Sequence, residues 1–202
     1  MTERQTTALF ETGTVLASSE DYRAKDIEEA LGHFLMFNEM LKTWNAPLTE
    51  ELIKKYHFRL KSGVFEDLEN GYPIGEFKNR KNIVSDIVTA APDEVADRMK
   101  SLLLQYESLR KKNLCDLAEF HAEYEKIHPF QDGNGRTGRM LLYKECLRNG
   151  QIPFLIRDEV KGRYYAALNK AQTEDDFSDL QALFASEQEA YFTVLRDFLY
   201  VY

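Results

Sequence analysis

The chain has 202 residues, 44% of them hydrophobic, and a formal charge of −8. That length suits one domain with a small extension, and 13 Phe and 11 Tyr supply enough apolar surface to exclude wholesale disorder. The acidic balance, with no long block of Lys and Arg, excludes non-specific binding to nucleic acid and to membrane surfaces. A buried nucleotide site stays open, because it needs only two or three well-placed cations.

The start, MTERQTTALF, lacks a signal-peptide pattern, and no apolar run approaches the ~18 residues of a membrane span. A reducing cytoplasm is the expectation. Cys115 and Cys146 have no zinc spacing and read as a pair of buried free thiols.

In chain order, a first helix is predicted within Thr2 to Ala17, with Leu9, Val15 and Leu16 apolar. Ser18 to Lys25 is polar and reads as a connection. Ile27, Ala30, Leu31, Phe34, Leu35, Phe37, Met40, Leu41 and Trp44 recur at three- and four-residue steps, predicting a long helix with a wide buried stripe. Thr49 after Pro47 is a good N-cap for a helix burying Leu52, Ile53, Tyr56 and Leu60. No helical period runs through 63–91. A loop with a short hairpin somewhere within Pro73 to Asp86 is expected there.

Pro92-Asp93-Glu94 opens a helix with the stripe Val95, Met99, Leu102, Leu103 and Tyr106. The next helix, with Leu117, Phe120, Tyr124 and Ile127, must stop before Pro129. Another begins near Arg136 and ends near Asn149-Gly150. Two more follow, over about Lys161 to Gln172 and Phe177 to Leu199. The pattern is all-α with one small hairpin.

The chemistry lies in His128-Pro129-Phe130-Gln131-Asp132-Gly133-Asn134-Gly135-Arg136-Thr137-Gly138-Arg139. Glycines on both sides of Asn134 let successive N–H groups turn toward one point, which makes an anion nest. A helix beginning there adds its free N–H groups and positive dipole end. Arg136 and Arg139, three apart, project from nearly one face, and a guanidinium grips phosphate oxygens with a planar fork. Asp132 is a hard ligand of the kind that holds Mg²⁺ together with substrate phosphates. His128 is the natural general base. Each part has a plainer reading alone. A DGNG stretch is usually a turn, a His before Pro commonly caps or fills a core, and two such arginines usually form a solvated face. A calcium loop starting at Asp132 would need Glu where Tyr143 stands. The coincidence within one short run favours chemistry.

This run resembles the signature of the Fic (Fic/DOC) family, His-Pro-Phe-x-Asp/Glu-Gly-Asn-Gly-Arg-x-x-Arg, at every fixed position. LAEFHAEYEKIHPFQDGNGRTGRMLLYKECLRNGQIPF is similar to the family core throughout, and GYPIGEF to the hairpin flap before it. The resemblance implies a Fic-type helical bundle over 27–172, with an N-terminal helical extension (1–26) and a C-terminal helix (173–202). It implies a protein adenylyltransferase that moves AMP from ATP to a Ser, Thr or Tyr hydroxyl of a target protein, including its own chain. His128 would be the base and Asp132 the Mg²⁺ ligand. Gly133, Asn134 and Gly135 would cradle the phosphates, and Arg136 and Arg139 would grip the β- and γ-phosphates. Relatives that transfer phosphate carry Lys at position 135, so Gly135 favours AMP. Tyr164 and Tyr165 resemble a pair lining the adenosine pocket, and Gln172 stands where many relatives have Asn near the adenine. Ile74, Gly75, Glu76 and Phe77 would clamp an extended target segment by strand pairing. The alternatives are a nucleotide-binding module without turnover and a transferase of another phosphate-containing group. His33, His57 and His121, on helix faces among apolar neighbours, read as structural.

Many Fic proteins carry an inhibitory helix, Ser/Thr-x-x-x-Glu-Gly/Asn, whose Glu pairs with the second motif arginine, here Arg139. Thr7 to Glu11 is followed by Thr12, and Ser62 to Glu66 by Asp67, so neither fits. TERQTTALFETGTVL resembles the stretch just after that helix. The expectation is a chain that begins past it, active without an activator, or one restrained in trans by a separate antitoxin protein.

Overall fold

The computed structural model describes residues 3–12, 23–84 and 87–199. Among these, the helices are α1 (Glu3–Thr12), α2 (Ala24–Thr43), α3 (Glu50–Lys61), α4 (Phe65–Glu69), α5 (Val95–Ser108), α6 (Leu114–Ile127), α7 (Asn134–Arg148), α8 (Lys161–Glu174) and α9 (Ser178–Leu199). The strands β1 (Ile83–Val84) and β2 (Ile87–Val88) pair antiparallel, with Ile83 opposite Val88 and Val84 opposite Ile87. The fold is all-α, as the periodicity predicts. No helix among the described residues is long and apolar enough to cross a membrane.

Local signals set the helix ends. The Thr49 hydroxyl accepts the Leu52 N–H at 3.2 Å and caps α3. Asn113 and Asp116 form a reciprocal capping box at the start of α6. At its other end α6 stops at His128, which turns left-handed (φ 53°, ψ 62°) before Pro129. The core is continuous across α2, α3 and α5 to α9. Central in it, α6 packs against α5, α7, α8 and α9, while α7 also lies on α2 and α3. The joint between α6 and α7, which carries the motif, is therefore clasped from both sides.

Three expectations fail. The stripe on α2 is narrower than its sequence implies: Leu31, Leu35, Leu41 and Trp44 are exposed, whereas Met36 and Met40 are fully buried. Among the described residues it is α3, α4, α7 and the short α1 that pack on this helix, and they leave its far side uncovered. Cys115 is exposed and only Cys146 is buried, because Cys115 sits in the first turn of α6, beside its cap. The hairpin falls at 83–88, at the end of the expected window of 73–86 and two residues past it, while the flap segment 74–77 forms no strand and residues 73–80 run as turns and bends. Val15 and Leu16 fall outside the described residues.

Candidate active site

Three backbone devices shape the motif. Gly133 has φ 81° and serves as N-cap of α7. That left-handed turn suits glycine, and a Cβ there would press on Leu60 Cδ2 at 3.2 Å. The turn aims the free N–H groups at the start of α7 outward. Asn134 directs its side chain inward, where its Oδ1 accepts the Phe130 N–H (2.8 Å) and its Nδ2 donates to the Phe130 carbonyl (2.8 Å). Its side chain is thus a clamp on the loop, which leaves only its backbone N–H to serve a ligand. Phe130 is fully buried and stacks on His57 with ring centroids 3.8 Å apart and planes 1° from parallel.

His128 is oriented by its own helix. Its Nδ1 lies 3.3 Å from the Glu125 carbonyl, an acceptor only, so Nδ1 carries the proton and Nε2 is left as the bare lone pair. Burial pushes the imidazole down to about 4, and the Lys78 ammonium pushes the same way. His128 is therefore neutral across the range in which a base must work.

Asp132 is held at both ends. Its backbone carbonyl accepts from His57 Nε2 (3.0 Å), and its Oδ2 accepts from Lys61 Nζ (2.7 Å), with Arg136 at 3.7 Å. Burial opposes its charge, but the Lys61 hydrogen bond outweighs that and keeps it below the usual carboxylate range. Arg136 is paired with Glu29 of α2 at 2.7 and 2.9 Å. Arg139 forms no ion pair among the described residues, and Glu11 of α1 is exposed. Both arginines border a cavity of about 500 Å³, whose wall includes His33, Phe34 and, from α1, Phe10.

This structure brings His128, Asp132, Gly133, Gly135, Arg136 and Arg139 to one place at the start of α7. The Fic/DOC family model matches residues 47–146. The chain belongs to the Fic/DOC family. It is 29% identical over 185 residues to "Protein adenylyltransferase Fic" of Nematostella vectensis and 30% identical over 184 residues to that of Drosophila mojavensis. Those alignments cover 87% and 86% of this chain but only 40% and 35% of the relatives' own length. The fold is similar to a Fic domain containing signaling protein from Bacteroides thetaiotaomicron, with TM-score 0.81, 25% identity, and coverage of 96% of this chain and 79% of that one. It is also similar to Caenorhabditis elegans Fic-1, with TM-score 0.80, 20% identity, and coverage of 98% and 59%.

Of the other expected site residues of this Fic chain, Tyr164 lies beside Arg139 of the motif and Phe77 beside Phe130. Tyr164 is buried and bonds its hydroxyl to His121 Nε2 (2.8 Å), whereas Tyr165 is exposed. Gln172 donates to the Ala122 carbonyl at 3.1 Å. These contacts pack α8 on α6. The segment Ile74 to Phe77 forms no strand. It is moored instead, by the Gly75 N–H to His57 Nδ1 (3.0 Å), by Glu76 to Lys54 (2.7 Å), and by Phe77 against the Phe130 ring.

Three supporting residues escaped the sequence reading, and a fourth, His57, was expected only as a structural histidine. His57 joins flap to motif, since it accepts from Gly75 and donates to Asp132. Lys78 donates its backbone N–H to the Pro129 carbonyl (2.8 Å), and its buried ammonium bonds Asn82 and Thr89 beneath His128. Glu29 and Lys61 hold Arg136 and Asp132. His57 and Lys61 sit one helical turn apart on the buried face of α3, a weak signal that becomes legible only beside the motif.

Proposed function

We propose that this chain transfers AMP from ATP to a Ser, Thr or Tyr hydroxyl of a protein. The observation that carries this reading is the orientation of His128. Its Nδ1–H is fixed on a backbone carbonyl, which leaves Nε2 unprotonated in the loop that leads into α7.

In this reading Nε2 takes the proton of the attacking hydroxyl, whose oxygen forms the new bond to the α-phosphorus. The bond from that phosphorus to the bridging oxygen breaks, and pyrophosphate leaves. The N–H groups at Gly133 to Gly135 accept the charge growing on the phosphate oxygens. Arg136 and Arg139 hold the β- and γ-phosphates. Asp132 is the residue that would hold Mg²⁺. It fits, because its Oδ2 is engaged by Lys61 while its partly exposed carboxylate keeps a second hard oxygen. When bound, Mg²⁺ supplies charge neutralisation to the phosphates. The relatives named protein adenylyltransferases support the same chemistry.

The test is self-modification with labelled ATP and Mg²⁺, read by mass spectrometry. A gain of one AMP is expected. His128→Ala should lose ~10²–10⁴-fold in rate while still binding ATP. No AMP adduct, or equal labelling of His128→Ala, would sink the proposal.

A further inference from the structure

Glu29, Asp67 and Asp132 each place a carboxylate oxygen within 4.8 Å of the other two. That spacing could hold a divalent ion, yet the centre is taken by a side chain. Lys61 Nζ lies 2.8 Å from Glu29 Oε1, 2.5 Å from Asp67 Oδ2 and 2.7 Å from Asp132 Oδ2, and the side chain is 1% exposed. Of its three donors, one bonds Glu29 and one Asp132, and the ammonium also stands in ion-pair contact with Asp67. Its stem is pinned as well, because Cγ and Cδ lie directly under the Gly133 turn. Asp67 shows how closely matched the cluster is. It is fully buried, and neither of its oxygens makes an aligned hydrogen bond, although Lys61 and Lys25 approach them at 2.5 and 3.4 Å. It therefore keeps unused capacity for a cation.

We propose that Lys61 is a built-in counter-ion that closes the Glu29–Asp67–Asp132 trio to free divalent ions, so that Asp132 takes a metal only together with nucleotide phosphates. Two of the three carboxylates lead into the phosphate machinery. Asp132 is the expected metal ligand, and Glu29 pairs with Arg136. An ion that settled among the three would draw Asp132 inward by Oδ2 and strip Arg136 of its partner. With the ammonium there, Oδ2 is occupied and the other oxygen of Asp132 is left for a metal. Lys61 is thus a positioning residue, one turn along α3 from the His57 that holds the Asp132 backbone.

The inference rests on the proposed adenylyl transfer for its purpose, but its test does not require transfer. Mn²⁺ binding is measured by electron paramagnetic resonance, with and without ATP. Nucleotide-free wild type should bind Mn²⁺ at least tenfold more weakly than the ATP-bound form. Lys61→Met keeps the length of the side chain and removes the charge. It should bind Mn²⁺ without nucleotide at least tenfold more tightly than wild type, and Mn²⁺ should raise its melting temperature but not that of wild type. If Lys61→Met does not fold, Lys61→Met/Asp67→Asn carries one buried charge fewer and should still exceed wild type in nucleotide-free affinity. Equal Mn²⁺ affinity of the nucleotide-free wild type and the folded variant overturns the proposal. A protein that binds Mn²⁺ as expected in the nucleotide-free arms yet neither binds ATP nor labels itself would instead overturn the functional reading.

Discussion

Glu125 is buried in α6 beneath the start of α7, and its Oε1 has no hydrogen-bond partner. Burial pushes its carboxyl up to about 7, against a smaller opposite pull from Arg139. The folded state therefore keeps a proton that the unfolded chain, near 4.5, gives up. This group's contribution to stability is fully present below 4.5 and declines as pH rises toward 7. Once both states are ionised, the gap converts to roughly 3 kcal/mol, and at pH 5 it is still below about 1 kcal/mol. Glu125→Gln has nearly the same shape and no charge to bury. Relative to wild type it should gain about 2–3 kcal/mol between pH 5 and pH 8. Any fixed cost of the amide cancels in that difference. The buried histidines also cancel, because they titrate alike in both proteins. Urea unfolding at several pH values in this range measures it directly. Two stability curves that run parallel from pH 5 to pH 8 would show that Glu125 finds a partner the structure does not give it.

Two further outcomes follow from the motif itself. Asn134→Ala removes both bonds that pin Phe130, leaving a buried N–H unpaired, while the carbonyl keeps Asn82 at 3.0 Å. A loss of about 1–3 kcal/mol is expected in urea melts, and a change below about 0.5 kcal/mol would deny the clamp. If His128 is the base, kcat/KM reports its state in the free protein. Burial holds it down at about 4, so the neutral form persists as pH falls from 8 to 5, and the acid limb should be flat there. A fall with its midpoint near 6.5 would mean an ordinary, solvated imidazole.

Much of this Fic domain was legible as residue pattern. Apolar spacing placed α3 and α5 to α9, and Thr49, Asn149 and Gly150 marked their ends, because capping and helical periodicity act over a few neighbouring residues. The motif was legible for the same reason. Glycines, arginines and a carboxylate within one short run must share one turn and one helix N-terminus, wherever the rest of the chain goes. Other features depend on distant segments. Which side of α2 would be covered, and so the fate of Leu31 and Leu41, was settled by where α3 and α7 came to lie. Cys115 and Cys146 have similar neighbours in sequence, but one sits at a helix start and the other faces the core. The ammonium of Lys61 reaches Glu29, Asp67 and Asp132 from three separate segments, and His57 links Gly75 to Asp132 across the fold. The sequence by itself singled out the groups proposed for the chemistry, since that reading depends on side-chain type and local spacing. Only the tertiary structure decided how those groups are held, because a buried charge or a turned imidazole is defined by neighbours that the chain brings from far away.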